Sequence, residues 1–510
     1  MNLDETKEAA IRWEAIDWQK VEAFVNNIQT RIASNQRFAA IVRGNKKLAR
    51  ELQRMLTHSY YAKLWAIRKV TSTKGKRTAG TDKEKWDSPA KKYRAVSKLE
   101  KKGYKAKALK RVYITKSNGK QRPLGIPTMT DRAMQALEAM GLDPIIESTS
   151  DTTSFGFRKS RSCQDAMEQL FTVLARKTAP DWVVEGDIKS CFDEIAHEWL
   201  IEHIPMDTYM LKQFLKAGYV YEKQLFPTEN GTPQGGLISP ILANATLNGI
   251  ETLLKSELYR TTIKVDGKPK TFNPKINLVR YADDFVITAA TKEIAERVKE
   301  LVKNYIADRG LQLSEEKTVI TNISQGFDFL GWNFRKYQGK LLIKPSKKSQ
   351  QKVLEKLRQV ITNNKGATQD DLIRLLNPVI NGWSMYHQGT VARKVFATID
   401  NDVYLHLWKW ARRRHSGKSR KWIMNRYWKT VGNKHYVFMD TLTLRKMCDK
   451  KIIRHIHLKL DKNPYIDKDY FQKRRYRLLV NRRLGLNLES KQPALTIAGN
   501  HPADGCLPEA

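Results

Sequence analysis

Tyr281-Ala282-Asp283-Asp284-Phe285 sets two adjacent carboxylates between the apolar runs Ile276-Asn-Leu-Val-Arg280 and Val286-Ile-Thr288. Two neighbouring Asp in such a setting are desolvated and repel each other unless a cation sits beside them. Hard divalent ions take carboxylate oxygens, and Mg²⁺ needs few protein ligands when substrate phosphates supply the rest. An exposed turn that happens to hold two Asp would read the same way. A second acid favours the metal reading: Asp187 follows Trp182-Val-Val-Glu-Gly186 and precedes Ile188-Lys-Ser-Cys-Phe192-Asp193. Two strands that each offer an Asp at one end can hold two metals about 4 Å apart, one activating an attacking hydroxyl and one stabilising the leaving oxygen. That is the layout for nucleotidyl transfer onto a 3′ hydroxyl. Asp193, six residues further on, reads as structural.

Strands and helices must alternate to bring these acids together. Arg111-Val-Tyr-Ile-Thr-Lys116 reads as a strand, Ser117-Asn-Gly-Lys120 as a hairpin turn and Gln121–Ile126 as its return. Lys116 and Arg122 flank that turn, and two cations there suit a polyphosphate. Thr130-Asp131 predicts a helix start with Met134, Leu137 and Met140 on one face. Ser239-Pro240 predicts another, running to Leu254, with a Ser cap and Pro at the first helical position. Ile294, Val298, Leu301, Val302 and Tyr305 recur at helical spacing. Before the mixed region, Val21, Phe24, Val25, Ile28 and Ile32 predict one helix, and Leu48 through Trp65 a second. A polar, flexible stretch, Ser72 to Asp82, follows. Beyond about residue 343 the pattern turns mainly helical, with Val353, Leu357, Val360 and Ile361 on one face. Thr368-x-x-Asp371 forms a capping-box signature before Leu372, Leu375 and Leu376.

Composition narrows the partner. The 510 residues carry 92 Lys and Arg against 53 Asp and Glu, a net charge of +39. Such a chain repels itself when compact, and its natural partner is a polyanion. The surplus is uneven: from Lys409 to Arg483 there are 24 Lys and Arg against five Asp and no Glu. Trp410, Trp422, Tyr427, Trp428, Tyr436 and Tyr476 interleave them. Cations neutralise phosphates while aromatic faces stack on bases. Some of these aromatics are expected in a small core instead. Hydrophobic residues make up 41% of the chain, which excludes bulk disorder. No stretch approaches 18 consecutive apolar residues, so no membrane span is expected. Cys163, Cys191, Cys448 and Cys506 show no C-x-x-C spacing, and no secretory signal is visible. A reducing, cytoplasmic and nucleoid-associated setting is expected.

The motifs then become specific. Asp187-x4-Phe192-Asp193 followed by Tyr281-Ala-Asp-Asp284 resembles the A and C motifs of reverse transcriptases. Gly231-Thr-Pro-Gln-Gly-Gly-Leu-Ile-Ser-Pro240 between them resembles the B motif. Gly310-Leu-Gln-Leu-Ser-Glu-Glu-Lys-Thr318 and Phe327-Asp-Phe-Leu-Gly-Trp332 resemble the D motif and the primer-grip hairpin. Met129-Thr-Asp-Arg132, Ser154-Phe-Gly-Phe-Arg158, Asn381-Gly-Trp-Ser-Met-Tyr386 and Ala411–Ser419 narrow the resemblance to bacterial group II intron-encoded reverse transcriptase/maturases.

That resemblance implies an α+β right-hand polymerase of fingers and palm, followed by a helical thumb or maturase (X) domain and a small basic DNA-binding module. The expected boundaries are 1–85 for an N-terminal helical extension, 86–340 for fingers and palm, and 341–435 for the thumb. A basic DNA-binding domain over 436–488 and a tail over 489–510 complete the division. It implies two Mg²⁺ ions on Asp187, Ile188, Asp283 and Asp284. It further implies triphosphate contacts at Lys116 and Arg122, a ribose gate at Phe192, and nucleotide-site contacts at Gln234 and Gly235. Lys317 becomes the candidate proton donor to pyrophosphate. Arg412, Arg413, Arg414, Lys418, Arg420, Lys421, Arg426, Lys473, Arg474 and Arg475 become nucleic-acid contacts. The implied partners are dNTPs, intron RNA and target DNA. Many members carry a cysteine-rich H-N-H endonuclease. After Arg483 there is one Cys and one His, so endonuclease activity is not expected. Two other readings remain at this stage: another bacterial reverse transcriptase, such as a CRISPR-associated one, or a polymerase-dead splicing factor.

Overall fold

The computed structural model describes residues 3–42, 46–115, 119, 121–232, 235–258, 261–265 and 268–484. Its catalytic half is organised around one strand, Trp182–Lys189. On one side this strand pairs antiparallel with Asp284–Ala289, setting Asp187 opposite Asp284. On the other side it pairs antiparallel with Gln312–Leu313 and Val319–Asn322. Asn277–Tyr281 adds the outer strand, with Tyr281 opposite Asp284. The two residues between Tyr281 and Asp284 therefore form a tight hairpin turn at one end of the sheet.

A second sheet carries the fingers. Leu109–Thr115 and Gln121–Ile126 pair antiparallel, with Ile114 opposite Arg122. Leu109–Thr115 also runs parallel to Tyr219–Tyr221, which turns back into Gln224–Phe226. A three-stranded hairpin sheet follows the palm: Phe327–Phe329, Trp332–Tyr337 and Lys340–Pro345.

The helix Met129–Thr149 is buried over almost its whole length, and the N-terminal helices Trp18–Val42, Lys46–His58 and Tyr60–Ser72 pack on it. Val25, Ile32, Leu56 and Ile67 share one continuous core with Met134, Leu137, Ile188 and Phe285. The helices beyond the hairpin sheet have their own core. Val353, Leu357 and Ile361 of Lys347–Asn363 meet residues of Gln369–His387 and Arg393–Arg414, including Leu376, Phe396 and Trp410.

Several local expectations are corrected. The N-cap of the long helix Met129–Thr149 is Thr128, not Thr130: its Oγ accepts from the Asp131 amide and donates to the Asp131 carboxylate. The acid lies three residues after the cap, the spacing a capping box needs. The run from Ser239 to Leu254 is two helices, Ser239–Thr246 and Ile250–Leu258. Gly249 between them has φ +97, which a continuing helix cannot adopt. Ser239 is itself inside the first turn, with Ile238 preceding it. The run from Leu48 to Trp65 breaks at Ser59, whose backbone is extended. The stretch 72–82 is anchored rather than loose, because the buried Arg132 guanidinium donates to the carbonyls of Gly75 and Thr78. Thr368 does cap its helix, accepting from the Asp371 amide. Beyond residue 345 the chain also forms a two-stranded ribbon, Trp428–Val431 with Lys434–Phe438, which helical periodicity could not reveal.

The last described segment is no free appendage. Leu458 and Phe471 lie in the same core as Val183, Val286 and Trp332 of the palm and hairpin sheets. Asn463 donates to Ser148 Oγ and the Tyr465 hydroxyl bonds to Asp143, both on the long helix.

Candidate active site and its nucleic-acid surfaces

Asp187 and Asp284 face each other because the strands that carry them are paired in that register. Asp283 sits in the intervening turn, where Ala282 adopts φ +58. Left-handed backbone is costly for a residue with a Cβ. Its neighbours hold it there: Arg280, fully buried, donates through Nη1 to the Ala282 carbonyl at 3.1 Å and to Asn244 Oδ1 at 3.1 Å. Asn244 in turn donates to the Gly156 carbonyl at 2.8 Å. Gly156 is packed so closely on the turn that a Cβ would lie 2.3 Å from the Ala282 amide nitrogen. Arg280 is pushed down to about 10 by burial. Neither Arg280 nor Asn244 is given a role by the sequence, and Gly156 stands there only inside the motif Ser154-Phe-Gly-Phe-Arg158. An arginine closing the apolar run Ile276–Val279 was the available signal.

The acids share one electrostatic problem. Burial first, then the charges of Asp283 and Asp187, push the Asp284 carboxyl up to about 7 although the residue keeps solvent access. Asp283 is raised by burial and by Asp187, while the positive charges of Arg122 and Lys317 oppose the rise. Arg122 of the fingers hairpin thus acts on the same site. Lys317 Nζ donates to Asp187 Oδ2 at 2.7 Å, and the Ser314 amide donates to the Asp187 carbonyl at 2.8 Å. The ammonium, 64% exposed, supplies the cation that Asp187 needs. Among the described residues no three carboxylate, thiol or imidazole side chains converge on one cation position by themselves. The donor chemistry nevertheless suits a hard divalent ion: the three side chains offer carboxylate oxygens, and burial, with their mutual repulsion, raises two of the three.

The nucleotide side is built from the loops that flank these strands. Phe192 is half-buried on the short helix Cys191–Glu194, and its carbonyl accepts from the Thr232 amide at 2.6 Å. Asp193 is exposed, and its backbone touches Gly231, where a Cβ would lie 2.5 Å away. His197, buried, donates to the Gly231 carbonyl at 2.8 Å. Gly235, at φ +104, would place a Cβ 2.6 Å from the Gly125 carbonyl of the fingers. Only glycine fits that approach. Lys116 and Gln234 lie outside the described residues.

Three family descriptions match segments of the chain. Residues 114–334 match the family described as reverse transcriptase (RNA-dependent DNA polymerase), and residues 13–99 the N-terminal domain of reverse transcriptase. Residues 350–428 match the group II intron maturase-specific domain. Protein YkfC of Escherichia coli is 34% identical over 254 residues, covering 45% of this chain and 67% of YkfC. The group II intron-encoded protein LtrA of Lactococcus lactis is 33% identical over 327 residues. The chain belongs to the group II intron-encoded reverse transcriptase/maturase family. The LtrA match covers 53% of this chain and 54% of LtrA, so the chain spans about half the length of that relative. Maturase-like protein 1 of Euglena gracilis is 22% identical over 382 residues, covering 73% of this chain and 76% of that protein.

As a member of this family the chain presents its basic residues unevenly. Arg412, Arg413, Lys418, Arg420, Lys421 and Arg426 are exposed on the thumb. Arg414 is exposed too, but its Nη1 donates to the carbonyls of Lys365 and Ala367, where it also ties off a neighbouring chain reversal. On the last helix, Lys468–Leu484, Lys473 and Arg475 face solvent. Arg474 does not. It is buried against Asp165, beside His455, and donates to the Ile456 carbonyl at 2.7 Å. Its expected role in nucleic-acid contact is therefore corrected: on a helix, adjacent residues point to different faces, and 474 shares the inward face with Phe471. Among the described residues no helix is long and apolar enough to cross a membrane.

Proposed function

We propose that this chain is an RNA-directed DNA polymerase that also holds its own group II intron RNA, assisting splicing and target-primed mobility. The carrying observation is the register that sets Asp187 against Asp284, with Asp283 in the adjoining turn. Asp187, Ile188, Asp283 and Asp284 would hold two Mg²⁺ ions. Bound there, such ions activate a primer hydroxyl and stabilise the leaving pyrophosphate. Arg122, together with Lys116, grips the triphosphate of the incoming dNTP. Gln234 and Gly235 line the nucleotide site. Phe192 occupies the space a ribose 2′-OH would need. Lys317, already carrying its proton beside Asp187, delivers it to the pyrophosphate.

The exposed thumb cations and the outward face of the last helix hold the RNA and its DNA target through phosphates. They lie on separate elements from the carboxylates, so binding and polymerisation are separable. Primer extension with dNTPs on an RNA template tests this directly. Synthesis should depend on Mg²⁺, stop with EDTA and be abolished in Asp283→Ala. Intron RNA binding by the same variant should stay within about twofold of wild type. Polymerisation that survives Asp283→Ala would refute the metal assignment. An equal loss of RNA binding would refute the separation of roles.

A further inference from the structure

The loop Thr153–Arg158 is clamped to the catalytic turn on both sides of one exposed aromatic residue. On the near side, the Phe155 amide donates to the Arg280 carbonyl at 2.8 Å, and the Arg280 amide to the Thr153 carbonyl at 3.0 Å. The Gly156 carbonyl is held by Asn244. On the far side, the buried Arg158 guanidinium bonds to Glu147 Oε2 at 2.7 Å and to the Ser154 carbonyl at 2.8 Å. Between these anchors Phe157 adopts φ +57 and leaves its side chain 52% exposed. A phenylalanine gains nothing for the core from such a position, and its backbone is disfavoured. Its ring instead meets the ring of Phe192 edge-on, with centroids 6.1 Å apart and planes at 78°. Phe192 is only half-buried, on a four-residue helix entered through Ser190 at φ +45.

We propose that Phe157 is a positioning residue for sugar discrimination, bracing the Phe192 ring against the 2′-hydroxyl of a ribonucleotide. This rests on the reading of Phe192 as the ribose gate. A steric gate works only while its ring stays where the hydroxyl would be. A half-exposed phenylalanine without a lateral neighbour can swing to another rotamer. An edge-to-face partner raises the cost of that swing. The same clamped loop seats Gly156 on the Ala282 turn, so gate and metal-binding turn are held in one frame.

The test is the ratio of kcat/KM for dCTP to that for CTP in primer extension on an RNA template. It compares wild type, Phe157→Gly, Phe157→Tyr, Phe192→Ala and the double variant Phe157→Gly/Phe192→Ala. Glycine is chosen because it adopts φ +57 without strain, so the fold is not asked to refit. A ratio cancels any loss of active enzyme. Phe157→Gly should lower it about three- to tenfold, the span of one aromatic pair. Phe157→Tyr should keep the ratio, and the double variant should match Phe192→Ala alone. An unchanged ratio in Phe157→Gly, beside a lowered one in Phe192→Ala, would overturn the inference and leave the gate reading intact. So would losses that simply add in the double variant. An unchanged ratio in Phe192→Ala overturns the gate reading and this inference with it.

Discussion

Lys317 Nζ donates a hydrogen bond to Asp187 Oδ2 at 2.7 Å, joining residues 130 positions apart on two neighbouring palm segments. The ammonium rests on one of the three carboxylates that would take the metal ions. On the proposed reading it would compete with the cation before binding and neighbour the triphosphate afterwards.

Removing the competitor should separate those two roles. In Lys317→Met the Mg²⁺ affinity of the protein without nucleotide should rise by about three- to tenfold. That span corresponds to about 1 kcal/mol for a largely exposed ion pair. Turnover should fall if Lys317 is the proton donor proposed above. Isothermal titration with Mg²⁺, set beside single-nucleotide incorporation, reads both. Weaker Mg²⁺ binding in Lys317→Met would mean that the lysine builds the site rather than competing for it.

The raised carboxyl of Asp284 carries a stability signature of definite sign. Its folded value, about 7, lies above that of an unfolded Asp, about 3.9. Between those values the folded protein holds the extra proton, so stability falls as pH rises through the window. Glu185, pushed up to about 7 by burial, acts in the same direction. With EDTA present, the melting temperature should decline from pH 5 to pH 8. Asp284→Asn should raise it at pH 8 and change it little at pH 4. Thermal melts at the three pH values decide the matter. A uniform destabilisation by Asp284→Asn would show that the carboxylate is not strained.

On the last helix, neighbouring arginine and lysine should fail in opposite ways. Burial alone would raise Asp165, but the hydrogen bond from His455 and the charge of Arg474 outweigh it and hold the carboxyl below the ordinary range. Truncating Arg474 leaves that acid buried with only His455 and Ser162 beside it, at a cost of about 3–5 kcal/mol. Chemical denaturation of Arg474→Ala should show it. The pair's contribution is present above about pH 4 and fades as the acid is protonated at lower pH. Lys473 touches solvent, so Lys473→Ala should leave the melt unchanged within about 0.5 kcal/mol. It should instead reduce the salt dependence of RNA binding by about one phosphate contact. Reversed results would put Arg474 outside and Lys473 inside.

These outcomes also separate what sequence can and cannot tell. Asp187, Asp283 and Asp284 were legible because residue type and strand context both single them out. Their pairing followed from motif order. Thr368 was legible because a cap and its acid are three residues apart. Arg474 was misread because a charge count does not say which helix face turns inward, and Asp165, its partner, is 309 residues away. Arg280 shows only as an arginine closing an apolar run and Gly156 only inside the motif Ser154–Arg158; neither pattern gives the residue a role, and Asn244 has none. They matter through contacts that only the folded loops create, around one alanine with a left-handed backbone. Phe157 is the same case: its ring acquires meaning only when Phe192 is brought beside it.

Gly156 gives the sharpest test of that hidden frame. A Cβ added there would lie 2.3 Å from the Ala282 nitrogen and 2.9 Å from the Tyr281 carbonyl carbon. Backbone atoms cannot swing aside as a flexible side chain can, so either the loop or the turn that carries Asp283 must move. Forcing a methyl into packed structure costs about 1–3 kcal/mol. The larger effect should fall on chemistry, since a shift of about 1 Å in a reacting group costs on the order of 100-fold in rate. Gly156→Ala should therefore melt only a few degrees below wild type and keep its affinity for intron RNA. Its cDNA synthesis should drop about 100-fold, and excess Mg²⁺ should restore part of it. Paired measurements of RNA affinity and single-nucleotide incorporation at 2 and 20 mM Mg²⁺, roughly a tenfold range, check this. Wild-type incorporation in Gly156→Ala would mean that the turn does not depend on the loop packed beneath it.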